Sequence, residues 1–152
     1  ILGAVVVALF WEALDRWVWL AVLIPVLTTM TATTSTQTLT VVVRGLVLGE
    51  LDYRKELPVL VKELAVGLLL GLVCGVVLAG VVLVWSGQLP LALLAGVSLL
   101  ISTLTANLFG ALVPLVLNWL KLDPAQGSSI VTTTAANIAG FAVFLGLARF
   151  FL

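Results

Sequence analysis

Histidine is absent from the 152 residues, and cysteine occurs once, at Cys74. Without them, no His/Cys metal centre, Ser-His-Asp triad or disulfide framework can be assembled from this chain. Charge is nearly as scarce. Seven basic and seven acidic side chains make up 9% of the residues and balance to zero, where a soluble domain carries about 25%. That excludes charge-driven disorder and nucleic-acid binding through a basic face. It also gives no preference for acidic partners or anionic lipid. No basic stretch precedes the opening apolar run and no small-residue cleavage site ends it, so the start does not read as a signal peptide. Beginning at Ile1-Leu2-Gly3 without Met, the chain is expected to be a trimmed piece of something longer.

What the chain has in abundance is apolar surface. It is 62% hydrophobic with a mean hydropathy of +1.32, against about 45–50% apolar residues in soluble domains. A compact domain of this size cannot bury such an excess, so the chain reads as an integral membrane protein. A membrane-crossing helix needs about 20 apolar residues. Between Arg16 and Arg44 lie 27 uncharged positions, and Leu64–Trp85, Leu89–Leu120 and Ser128–Ala148 supply three further spans. Ile1–Trp11 is too short to cross alone and reads as the C-terminal half of a fifth helix. The runs are continuous rather than alternating, so the expected fold is all-α with five transmembrane helices, the first truncated.

Proline marks the helix starts and two interiors. Pro58, Pro90 and Pro124 fall where helices should begin, with Asp123 as the N-cap before Pro124. Pro25 and Pro114 lie inside spans, where they free a carbonyl or kink the helix. Arg44, Arg54, Lys55, Lys62 and Lys121 gather around two connectors, against only Arg16 and Arg149 on the other side. The positive-inside rule then places residues 43–57 and 120–127 in the cytoplasm and Leu152 outside. Arg149 reads as an anchor at the outer end, with repulsion of cations as the alternative.

The polar residues are concentrated in two of the spans. From Thr28 to Thr40, ten of thirteen residues are Thr, Ser or Gln, among them Thr33, Ser35 and Gln37. A second cluster, Ser128, Ser129, Thr132, Thr133, Thr134 and Asn137, opens the last span. A few hydroxyls in a membrane helix are ordinary packing, each bonding a carbonyl one turn back. Ten in thirteen cover every face of the helix, and some must meet water or another polar surface. The two clusters are therefore expected to line a common aqueous path, with a dry polar interface as the alternative. Ser98, Ser102 and Thr105 form a weaker stripe on the fourth helix, with Asn107 nearby.

Gly67, Gly71 and Gly75, continued by Ala79, recur every fourth residue, a small-residue packing surface that lets helices approach closely. Cys74 beside it reads as packing. Glu63 lies just inside the same helix next to Lys62. It reads either as an interfacial pair or as a carboxylate with a gating role, since buried membrane carboxylates are costly. No nucleophile–base pair lies in the spans, so an enzyme is not expected.

Several segments resemble the MgtE-type magnesium channels and their animal solute-carrier relatives. Gln37–Glu50 is similar to that family's second helix and the loop after it, and Lys62–Gly71 to the start of its third. Gly110–Leu115 and Leu122-Asp123-Pro124-Ala125 resemble its fourth helix and the turn into its fifth. The resemblance implies a homodimer of five-helix subunits in the cell membrane. Its pore lies on the dimer axis, lined by the second and fifth helices, and Mg2+ or another divalent cation is its cargo. It implies residues 1–152 as a single pore domain, with the family's cytoplasmic magnesium sensor absent from this chain. Membrane lipid, the cation and a second copy are the expected partners, with no nucleic acid and no organic cofactor.

The chain departs from the family pattern at the filter. Where the family has a Gly-Gly-Asn-x-Gly-x-Gln run, residues 31–37 read Thr-Ala-Thr-Thr-Ser-Thr-Gln. Where it carries a pore Asp fourteen residues after the Asp of its Asp-Pro-Ala turn, this chain has Asn137. The resemblance assigns Asn137, Thr133 and Ser129 to the ion filter, and Thr33, Ser35, Gln37 and Thr134 line the pore beside them. A carboxylate 4–5 Å from a divalent ion contributes about 7 kcal/mol at an effective dielectric near 20, so its loss weakens charge selectivity. A divalent-cation channel with a neutral Thr/Asn filter is the expected function. A pore drifted toward sodium or potassium, and a non-conducting scaffold or sensor, are the alternatives.

Overall fold

The computed structural model describes residues 2–11, 14, 18–51, 56–125 and 128–151. Arg16, Arg54 and Lys55, three of the seven charges used to orient the chain, lie outside the described residues. The elements are α1 (Leu2–Leu9), α2 (Val18–Val47), α3 (Glu56–Ser86), α4 (Leu89–Trp119) and α5 (Ser128–Phe151), with no strand among the described residues. The helices α2 to α5 are each long and apolar enough to cross a membrane. Lipid offers backbone groups no hydrogen-bond partner, so each span satisfies them within its own helix.

Local sequence sets the helix ends. Pro90 occupies the first turn of α4, after Gln88 in extended conformation. Gly87, at φ +66°, turns the chain between α3 and α4, and Gln88 N donates to Ser86 Oγ at 3.1 Å. The end of α2 closes with Gly49 N donating to Leu46 O and Glu50 N to Gly45 O, around a left-handed Gly49. The end of α4 repeats this closure, with Lys121 N donating to Asn118 O and Leu122 N to Leu117 O. Here the left-handed residue is Lys121, at φ 58°. The start of α5 differs from expectation. The Asp123 carboxylate accepts from Ala125 N at 2.9 Å in a separate turn, and the helix begins at Ser128 rather than at Pro124.

At the centre of the bundle, α4 packs against α3, α5 and α2, while α1 lies on α5. One apolar cluster joins Leu20, Leu23 and Leu27 of α2 to Leu91, Leu94 and Leu99 of α4 and Phe144 and Leu145 of α5. A second joins Val42 to Ala111 and Leu115 toward the other end. Between them runs a polar waist: Thr31, Thr34, Ser35, Thr38, Glu63, Ser102, Thr103 and Asn107 are all buried.

The α3–α4 contact is made by small residues. A Cβ on Gly75 would stand 2.7 Å from Gly96 O, and one on Gly96 would stand 2.8 Å from Gly75 O. A Cβ on Gly71 would collide with Thr103 Oγ1, and one on Gly67 with Asn107 Nδ2. The other side of α3 presents Leu69, Val73, Val76, Val77 and Val84, all exposed, an apolar face suited to lipid tails.

Candidate pore-lining site

Helix α2 carries hydroxyls all round, but packing divides them into two sets. Thr29, Thr33, Thr36, Gln37 and Thr40 are exposed, whereas Thr31, Thr34, Ser35 and Thr38 are buried. The exposed set follows a helical spacing of three and four, so it forms one stripe along the outside of the helix bundle. Ala32, Thr33, Thr36, Gln37 and Thr40 line an open groove of about 410 Å³ there. Ser35, the third α2 position that the sequence assigned to the pore, is buried. It turns inward against α4, where a Cβ on Gly110 would lie 2.6 Å from its carbonyl oxygen. The physical reason is the helical period, which sets Ser35 some 200° from both Thr33 and Gln37.

Most of these hydroxyls direct their hydrogen at their own helix. Thr29 Oγ1 donates to Pro25 O at 2.8 Å, Thr36 to Ala32 O at 2.7 Å and Thr40 to Thr36 O at 2.8 Å. On α5, Thr133 Oγ1 donates to Ser129 O at 2.6 Å. What such a hydroxyl offers outward is oxygen lone pairs.

A second cavity, of about 590 Å³, opens where α1, α2 and α5 meet. Thr28, Thr134 and Asn137 form its polar wall, and Gly3, Val7 and Trp11 are among the residues of its apolar wall. Thr134 and Asn137 thus come together, with Thr28 added. Ser129 is exposed and Thr133 half-buried on the same helix, outside the residues that line this cavity. Thr33 and Gln37 belong to the α2 groove instead. The α1 wall was not legible beforehand, because a short apolar run carries no polar signal.

Behind the cavity, Thr31 bridges α2 and α5. Its Oγ1 lies 2.9 Å from Asn137 Oδ1, 2.9 Å from Leu27 O and 3.1 Å from Thr28 O. Gly140 makes the room, since a Cβ there would press to 3.2 Å from Thr31 Cγ2. Behind the groove, Thr38 Oγ1 lies 2.7 Å from Asn107 Oδ1 and 3.1 Å from Glu63 Oε2, and Asn107 Nδ2 donates to Glu63 O at 3.1 Å. Glu63 therefore turns into the bundle toward Thr38, while Lys62 is exposed. No group of three or more His, Cys, Asp or Glu side chains exists among the described residues. The described residues that line the groove and the cavity offer a cation neutral oxygens.

The family model for MgtE, described as a divalent cation transporter, matches residues 24–147. The chain belongs to the MgtE family. It is 31% identical to the magnesium transporter MgtE of Bacillus subtilis over 147 residues, covering 97% of this chain and 33% of that protein. It is 38% identical to the MgtE of Thermus thermophilus over 133 residues, covering 88% of this chain and 29% of the relative. The chain therefore spans about a third of the length of the curated MgtE relatives it matches. MgtE proteins are transporters rather than enzymes, and the matched region covers α3 and α4 whole and most of α2 and α5.

Proposed function

We propose that this chain is the membrane-spanning pore domain of a magnesium or broader divalent-cation channel or transporter in the cell membrane. Two copies turn the polar faces of α2 and α5 toward a shared axis. The observation that carries this reading is the exposed stripe of Thr29, Thr33, Thr36, Gln37 and Thr40 on a membrane-spanning helix. Such a face needs water or a polar partner, and a second copy of the same face across an aqueous path supplies both. With the hydrogens of Thr29, Thr36, Thr40 and Thr133 bonded to backbone carbonyls, the lining presents acceptors. Acceptors favour cations over anions. Magnesium keeps several of its waters in protein sites, so the Thr and Asn oxygens act on the hydrated ion by accepting hydrogen bonds from those waters. Asn137, Thr133, Ser129 and Thr134 on α5 and Thr33 and Gln37 on α2 are the residues assigned to this path.

The test is ion flux in proteoliposomes holding the purified chain, comparing magnesium with sodium and potassium for the native sequence and Asn137→Asp. Magnesium flux that Asn137→Asp strengthens, at lower half-saturating concentration, is the expected result. Sodium or potassium flux that magnesium blocks would mean a changed cargo, and no flux from either protein would mean a scaffold.

A further inference from the structure

We infer that Thr31 is a positioning residue for the filter, holding the Asn137 amide with its carbonyl oxygen toward the cavity and its NH2 toward α2. This rests on the proposed role of Asn137 in the ion path. The orientation of the amide follows from the number of hydrogens at Thr31. Thr31 has one hydroxyl hydrogen and three acceptors around it: Leu27 O at 2.9 Å, Thr28 O at 3.1 Å and Asn137 Oδ1 at 2.9 Å. If the hydroxyl donates to Asn137, it makes one bond across the helices and leaves its own helix's carbonyls. If the amide is turned by 180°, which exchanges two atoms of nearly equal size, two bonds form. Thr31 donates to Leu27 O, and Asn137 Nδ2 donates to a Thr31 lone pair. Thr31 is buried with 1% exposure, so no solvent competes for its hydrogen.

The two settings have opposite consequences for an ion. With Nδ2 outward, the half-buried amide at the cavity wall presents hydrogens, which repel a cation. With Oδ1 outward, it presents an acceptor to the waters of a hydrated cation. Thr31 thereby lets a neutral residue take up part of the task of a carboxylate. It does so without touching the ion, from a pocket kept open by Gly140.

The experiment is magnesium and sodium uptake into proteoliposomes by the native chain, Thr31→Val, Thr31→Ser and Asn137→Ala, each first shown to be monodisperse in detergent. Thr31→Val keeps the shape and removes the hydroxyl. It is expected to raise the half-saturating magnesium concentration about tenfold, with Thr31→Ser restoring the native value. If Thr31→Val does not yield monodisperse protein, Thr31→Ala takes its place with the same expectation. A fall in half-saturating concentration in Thr31→Val would mean that Thr31 had been holding the carbonyl away from the cavity, and would overturn the inference. So would no change in Thr31→Val alongside a loss in Asn137→Ala, which leaves the pore reading standing. No change in either variant, or no native flux of either ion, would sink the pore reading and the inference with it.

Discussion

The hydroxyl of Thr38 stands 3.1 Å from the Glu63 carboxylate, which is 6% exposed inside the bundle. The same hydroxyl is 2.7 Å from Asn107 Oδ1, so one hydrogen faces two acceptors. Glu63→Gln adds an N–H donor to this cluster and is expected to match or exceed native thermal stability. Glu63→Ala leaves Thr38 and Asn107 with a gap beside them and is expected to lose about 1–3 kcal/mol. Thermal unfolding in detergent, read by tryptophan fluorescence, separates the two, and equal loss in both would refute the hydrogen count.

Glycines in α3 provide an internal comparison. At Gly75 an added Cβ meets the Gly96 carbonyl at 2.7 Å, whereas at Gly80 nothing lies within 4 Å. Gly75→Ala should therefore force the two helices apart, at about 1–3 kcal/mol. Gly80→Ala should be neutral or stabilising by up to about 1 kcal/mol through helix propensity. The difference in unfolding midpoint between the two variants is the measurement.

Lys121 holds a left-handed backbone at φ 58° in the closure of α4, a position glycine fills in the equivalent closure of α2. Lys121→Gly is expected to stabilise the chain by about 1 kcal/mol. An unchanged or lowered midpoint would mean that the lysine side chain contributes as much as its backbone strain costs.

Water access along α2 should follow the two sets of hydroxyls. In a Cys74→Ala background, cysteines at positions 33, 36 and 40 should react with a membrane-impermeant thiol reagent. Those at positions 31 and 35 should resist it. Uniform protection at 33, 36 and 40 would identify a dry polar interface in place of an aqueous path.

Much of the fold could be read from residue order alone. Four uninterrupted apolar runs leave only helices as a way to satisfy the backbone, and Pro90 marks the start of one of them. The density of Thr between Thr28 and Thr40 singled out α2 as the polar helix. Which side of α2 faces out was not legible, because hydroxyls occur on every side and only the neighbours decide. Ser35 turns inward because Gly110 lets α4 approach there. Thr31 and Asn137 meet across 106 positions of sequence, and nothing local to either residue encodes that pairing. The Asp123-Pro124 turn has the composition of a helix start, yet its carboxylate caps a separate turn before α5.

The hydroxyls of Thr29, Thr36 and Thr40 also bear on how the chain is made. A newly synthesised α2 meets acyl chains on every side. These three hydrogens are already bonded within the helix, so the segment can leave the insertion machinery with those groups satisfied. Among the described residues of that stripe, Thr33 and Gln37 are the ones whose side-chain donors have no bond within the chain. The residual penalty of waiting alone in the bilayer falls mainly on Gln37, which brings two N–H hydrogens to Thr33's one. Insertion of α2 therefore needs no polar partner for its three bonded hydroxyls.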